Sequence, residues 1–168
     1  YEFDMWGGNG TPAIANPGSP NTTITMDDDY TVTASFVFSG TVIYVNPVNS
    51  GTETGCSWEY AFSDLQDALD VAVPGCQIWV ASGTYVPSVT VGGTTPRHRT
   101  FQMKNNVGIY GGFPNWGNPT WVERNWLTQQ TVLYGNIGVY GDNSDNCYHV
   151  LFQDGLNNSA ILDGFIIR

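Results

Sequence analysis

The chain has 168 residues and a formal net charge of −10, with only 12% charged residues and five basic ones. Five scattered cations cannot match a phosphate backbone, which excludes nucleic acid as a partner, and no stretch approaches the roughly 20 apolar residues of a membrane span. A surface this poor in charge must be built from Asn, Thr, Ser, Gln and Gly, which suits an extracellular or cell-surface location.

Apolar residues make up 41% of the chain and aromatics 14%, enough for a packed core. The chain opens in a strand-like run at Tyr1 and stops in another, "DGFIIR", as expected of a piece of a longer polypeptide.

Residues 1–38 read as a small β unit. "YEFDMWGGNG" is a short strand followed by a turn in which Asn9-Gly10 suits positive φ. Two alternating runs follow, Thr23 to Met26 and Tyr30 to Phe38, joined by Asp27-Asp28-Asp29. That spacing predicts a hairpin with an acidic turn. The three aspartates need only be turn residues, since a Ca²⁺ site would require further converging oxygens.

From residue 39 the texture changes to short β-branched or aromatic runs: 41–45, 77–81, 100–103, 107–113, 131–136, 148–152 and 160–167. Several end in Gly or Asn, as a chain does when it turns a corner after every strand. Ile43-Tyr44, Ile78-Trp79, Ile109-Tyr110 and Leu133-Tyr134 share one pattern and are expected to stack at equivalent positions. A sandwich of antiparallel hairpins is the competing reading, but two-residue hairpin turns are missing from this half.

One stretch, "SWEYAFSDLQDALDVAVPG" at 57–75, reads as an amphipathic helix. Ser63 is the expected N-cap, with Asp64 and Asp67 near the positive end of the dipole. Phe62, Leu65, Ala68, Leu69, Ala72 and Val73 form the apolar face, Gln66, Asp67 and Asp70 face away, and Pro74-Gly75 ends the helix. The cysteines are Cys56, Cys76 and Cys147, with no CxxC spacing. Cys56 and Cys76 bracket the helix and are the candidate disulfide; three free, mostly buried thiols are the alternative.

Two resemblances add to this. "YEFDMWGG", "NP" and "TTITMDDDYTVTASF" in residues 1–38 resemble the C-terminal part of the internalin B-repeat-like extracellular β-grasp module, which implies a spacer, stalk or adhesive role. Residues 41–168, through "WEYAFSDLQDAL", "IWVASGTY" and "YGGF", are similar to the N-terminal part of bacterial right-handed parallel β-helix surface proteins of the pectate-lyase-like superfamily. The expected fold is therefore all-β: the start of a right-handed parallel β-helix (39–168) with one N-terminal capping helix, preceded by a small β-grasp-like or hairpin unit (1–38).

No set of catalytic residues is legible. The carboxylate cluster and basic residue that a lyase of that superfamily would need are not visible, and Arg97, His98 and Arg99 have no acidic neighbours in sequence. Asp163 in "LDGF" is expected to bond backbone at a strand end, and His149 in "YHVLF" to be a hydrogen-bonded core residue. "GDNSDN" at 141–146 is oxygen-rich but lacks the closing glutamate of an EF-hand, so Asp142 and Asp145 are weak Ca²⁺ candidates and no other cofactor is expected. Trp116, Trp121 and Trp126 crowd "FPNWGNPTWVERNW" and are the carbohydrate-binding candidates; packing of the loop is the alternative. The leading expectation is a non-enzymatic, secreted or cell-surface module for adhesion, display or extracellular assembly, with glycans, other surface proteins or further copies of itself as partners. A fragment of a polysaccharide lyase or glycoside hydrolase, or a carbohydrate-binding module, are the alternatives.

Overall fold

The computed structural model describes residues 2–37 and 41–168. The chain divides into two compact units, Tyr1–Ser39 and Gly40–Arg168. The boundary expected between 38 and 39, and Phe38 at the end of the expected hairpin, lie outside the described residues.

In the first unit, β1 (Glu2–Gly7) pairs antiparallel with β2 (Thr33–Val37), with Trp6 opposite Ala34 and a register shift between Phe3 and Met5. The expected hairpin between Thr23–Met26 and the run after Tyr30 is not formed. Instead Ile14 bridges Ile24, Ala15 N–H donates to Thr23 O and Thr25 N–H donates to Ala13 O. The reason is a competing long-range partner: the second run is held by β1 and by Asn9, whose Oδ1 accepts from Thr31 N–H at 2.6 Å. Asp27 to Asp29 remain an exposed turn, in which Asp28 Oδ1 accepts from Asp29 N–H.

The second unit contains β3 (Val42–Val45), α1 (Leu65–Val71), β4 (Gln77–Ala81), β5 (Gly83–Tyr85), β6 (Gly108–Phe113), β7 (Thr131–Leu133), β8 (Ile161–Asp163) and β9 (Phe165–Ile167). They form two parallel sheets, ordered β3-β4-β6-β8 and β5-β7-β9. The expectation of an all-β right-handed parallel β-helix is corrected here. The described residues form one antiparallel and two separate parallel sheets with a single α-helix, a mixed arrangement. Recurrent apolar dipeptides specify which strands lie side by side in parallel. They do not specify how the chain closes between them. The first crossover is a strand–helix–strand unit between neighbouring parallel strands, with α1 in contact with both β3 and β4.

The stacking is nevertheless in register for three of the four pairs. Ile43 lies opposite Ile78 and Ile78 opposite Ile109; Tyr44 lies opposite Trp79 and Trp79 opposite Tyr110. Leu133 belongs to the other sheet, opposite Tyr85. The isoleucines are buried, and with Val45, Val80, Phe101, Val107 and Leu133 they form the core. Alternation along each strand sends the aromatic partner to the opposite face.

The helix is shorter than its sequence pattern, and its cap is Asp64, whose Oδ1 accepts from Gln66 N–H at 2.9 Å. Leu65, Ala68, Leu69 and Ala72 are buried as expected, but Val73 is exposed. Gln66, expected to face away, is buried and donates to Asp70 Oδ1 at 2.8 Å. The last turn carries no cation of its own; Lys104 supplies one, donating to Asp70 O and Ala72 O.

Candidate functional site

The face of the larger sheet opposite the isoleucines carries Tyr44, Trp79 and Tyr110 in one row, and Asp163 continues it opposite Tyr110. The irregular segments 114–130 and 55–62 add to this row. Trp79 stacks on Phe113 with ring centres 4.7 Å apart and 11° between planes. Trp121 meets Trp79 at 5.4 Å and Tyr110 at 5.0 Å, nearly edge-on to the latter. Trp58 lies against Tyr44 at 4.9 Å and Phe113 at 5.6 Å. Offset and edge-on pairs at these distances are favourable beyond their area.

Arg124 fastens the loop to the sheet. Its Nε donates to Gly111 O at 2.6 Å, its Nη2 pairs with Asp163 Oδ1, and its guanidinium lies over Tyr110, Trp121 and Trp126 at 5.6, 5.2 and 5.0 Å. A 3₁₀ turn at Trp121–Glu123 sets these side chains. It is closed by a capping box in which Glu123 Oε2 accepts from Thr120 N–H and Thr120 Oγ1–H. Those two bonds hold the Glu123 carboxyl below its ordinary range, backbone bond first.

Between this row and the loop opens a cleft of about 350 Å³, walled by Tyr44, Trp58 and Trp79 and rimmed by Ser57, Asn118 and Thr120. The indole N–H groups of its walls are already engaged: Trp58 donates to Pro119 O at 2.8 Å and Trp79 to Gln77 Oε1 at 2.9 Å. The walls therefore offer ring faces, and the rim offers hydroxyl and amide groups. That combination suits a flat body with hydroxyls at its edge.

The three tryptophans named from the sequence separate. Trp121 is part of the packed cluster yet 44% exposed, Trp126 sits under Arg124 at 53%, and Trp116 stands away from the cluster at 64%. Tyr44, Trp79, Tyr110 and Arg124 were not singled out as site residues. For the three aromatics the signal was the ring directly after each matched isoleucine, which alternation sends to the face away from the core; Arg124 carried no such signal. Asp163 meets Arg124 instead of backbone. His149 is exposed, stacked on Phe152, rather than a core residue.

Asp142 and Asp145 serve their own loop: Asp142 Oδ1 accepts from Ser144 N–H and Asp145 Oδ2 from Val139 N–H. Among the described residues no group of three or more His, Cys, Asp or Glu side chains is gathered as a metal ion requires. Cys56, Cys76 and Cys147 are free thiols, and the candidate Cys56–Cys76 disulfide is not formed. Cys56 is exposed and Cys76 buried under the helix-to-strand turn. Among the described residues no helix is long and apolar enough to cross a membrane. Comparison with protein-family models, curated proteins and solved structures finds no match.

Proposed function

We propose that the chain is a non-enzymatic extracellular recognition module that binds glycans through its aromatic face and so serves adhesion. The observation that carries this is the open cleft with ring faces of Tyr44 and Trp79, the latter in contact with the half-exposed Trp121. Sugar rings present C–H groups on one face and hydroxyls on the rim, and the cleft has the matching parts. The charge-poor composition supports the extracellular half of the reading.

Titration of intrinsic tryptophan emission with a panel of neutral oligosaccharides tests it. At least one member should shift the emission saturably, and Tyr44→Ala, which removes a wall of the cleft, should reduce the affinity. Emission unchanged across the whole panel overturns the proposal.

A further inference from the structure

A second depression lies elsewhere on the same unit, with different chemistry. The excursion 89–100 folds back on itself, Thr90 bridging Arg99 and Val91 N–H donating to His98 O. It meets the segment 147–152, where Tyr148 N–H donates to Arg97 O and Phe101 N–H to Val150 O. Between them is a pocket of about 210 Å³ lined by Arg97, His98, Arg99, Tyr148, His149 and Phe152.

The chain has five Lys and Arg residues and two His, seven in all, against fifteen Asp and Glu. Four of those seven line this one pocket, and no carboxylate is among its lining residues. An anion is repelled by the chain as a whole, so the gathering of basic side chains here, Arg97 and Arg99 with two histidines, is a local feature. Arg97 is pre-oriented. Its Nε donates to Asn146 O at 2.7 Å and its guanidinium lies 4.3 Å from the centre of the Tyr148 ring, leaving both Nη groups without a bond among the described residues. The Arg99 side chain makes no ion pair or hydrogen bond among the described residues, although the residue is half-buried. Asp142 lies near enough to feel the Arg97 charge, and its Oδ1 is occupied by Ser144. Arginine forks match a two-oxygen anion. The remaining walls are ring faces, His98 edge-on to Tyr148 at 5.1 Å and His149 stacked with Phe152 at 5.6 Å.

We propose that this pocket binds a small organic anion, one carboxylate or sulfate group carried on a ring-sized body, with Arg97 and Arg99 holding the oxygens and Tyr148 and Phe152 flanking the body. The pocket is smaller than the roughly 300 Å³ at which sites for drug-sized ligands begin, which limits the occupant to about one ring. This site is independent of the aromatic cleft and of the glycan reading.

Calorimetric titration of the full chain at low salt tests it, with cyclohexanecarboxylate, cyclohexyl sulfate, neutral cyclohexylmethanol and sodium sulfate as probes. At least one ring anion should saturate a single site, and the tighter of the two tells carboxylate from sulfate recognition. Cyclohexylmethanol should bind at least about tenfold more weakly. Arg99→Gln should weaken the ring anion about tenfold without moving the unfolding midpoint, and Phe152→Ala should weaken the ring anion more than sodium sulfate. Tyr44→Ala, in the cleft wall, should leave ring-anion binding unchanged, which separates this site from the cleft. Equal binding of the alcohol, indifference to Arg99→Gln, or the absence of any saturable anion binding overturns the proposal; sodium sulfate binding as tightly as the ring anions overturns its organic part.

Discussion

Arg124 Nη2 reaches Asp163 Oδ1 across 39 residues of chain, and the two ends of that pair live in different surroundings: the arginine side chain is 7% exposed and the aspartate 52%. The consequence is unequal weight. Removing the arginine leaves the Gly111 carbonyl without its donor and uncovers three aromatic rings. Removing the carboxylate only loosens an attraction that water already screens. Arg124→Met should cost about 1–3 kcal/mol in urea unfolding, and Asp163→Asn less than about 1 kcal/mol. A larger loss for Asp163→Asn would mean that the ion pair, rather than the Gly111 bond and the ring packing, fastens the loop.

Gly112 shows how closely that loop lies on its sheet. Its φ is +94°, and a Cβ there would come within 2.8 Å of Trp126 N and 2.9 Å of Trp126 Cα. Both contacts are with backbone, so neither can swing aside, and the backbone angle itself disfavours any side chain. Gly112→Ala should destabilise the unit by more than about 1 kcal/mol. It should also move the tryptophan emission, because the loop carrying Trp121 and Trp126 must lift. Loss of stability with unchanged emission would show that the strain is absorbed within β6.

The capping box at Thr120 gives the loop a pH dependence with a definite sign. Glu123 is held below its ordinary range by hydrogen bonds to its ionised form, from Thr120 N–H and then Thr120 Oγ1–H. A carboxyl depressed in the folded state contributes stability above its unfolded value. That contribution fades as the pH falls below about 4.3 and through the lower folded value. The Trp121 turn should therefore loosen on acidification below about pH 4, seen as a change in tryptophan emission that Glu123→Gln displaces or abolishes. An identical acid titration in Glu123→Gln would assign the change to another carboxyl.

Exposure orders the three thiols. Cys56 lies open beside Thr54, Cys147 is half-buried with its thiol pushed up by desolvation, and Cys76 is buried. A thiol reacts as thiolate, so both access and a raised titration point slow it. Alkylation followed by mass spectrometry should modify Cys56 first, then Cys147, with Cys76 protected until the unit unfolds. Early loss of the Cys76 thiol would indicate that the turn at Pro74-Gly75 opens in the native state.

What could be read from the sequence was whatever a short window contains. The Ile-aromatic pairs at 43–44, 78–79 and 109–110 announced their own register because the same dipeptide recurs. Leu133-Tyr134 matched that pattern but joined the other sheet, since nothing in a dipeptide says which of two parallel sheets it enters. The hairpin across Asp27–Asp29 was locally sound and lost to β1, a partner far away in sequence. The same limit hid the Arg124 and Asp163 pair and the pocket at Arg97, where Tyr148 arrives from a segment roughly 50 positions on (compare the 49 separating Arg97 from its acceptor at Asn146). It also misjudged Gln66, whose polar character hid a buried place beside Asp70.

The isoleucine row offers the sharpest test of the register itself. Ile78 is fully buried between Ile43 on one side and Ile109 on the other, so truncating it opens a cavity that two neighbouring strands bound. Ile78→Ala should cost about 2–5 kcal/mol. Val48→Ala, at a position 63% exposed, should stay within about 0.5 kcal/mol of the parent. Because Ile43 contributes to the same cavity, the double variant Ile43→Ala with Ile78→Ala should cost less than the sum of the singles. Strict additivity would place the two side chains in separate environments and contradict the pairing of Ile43 with Ile78.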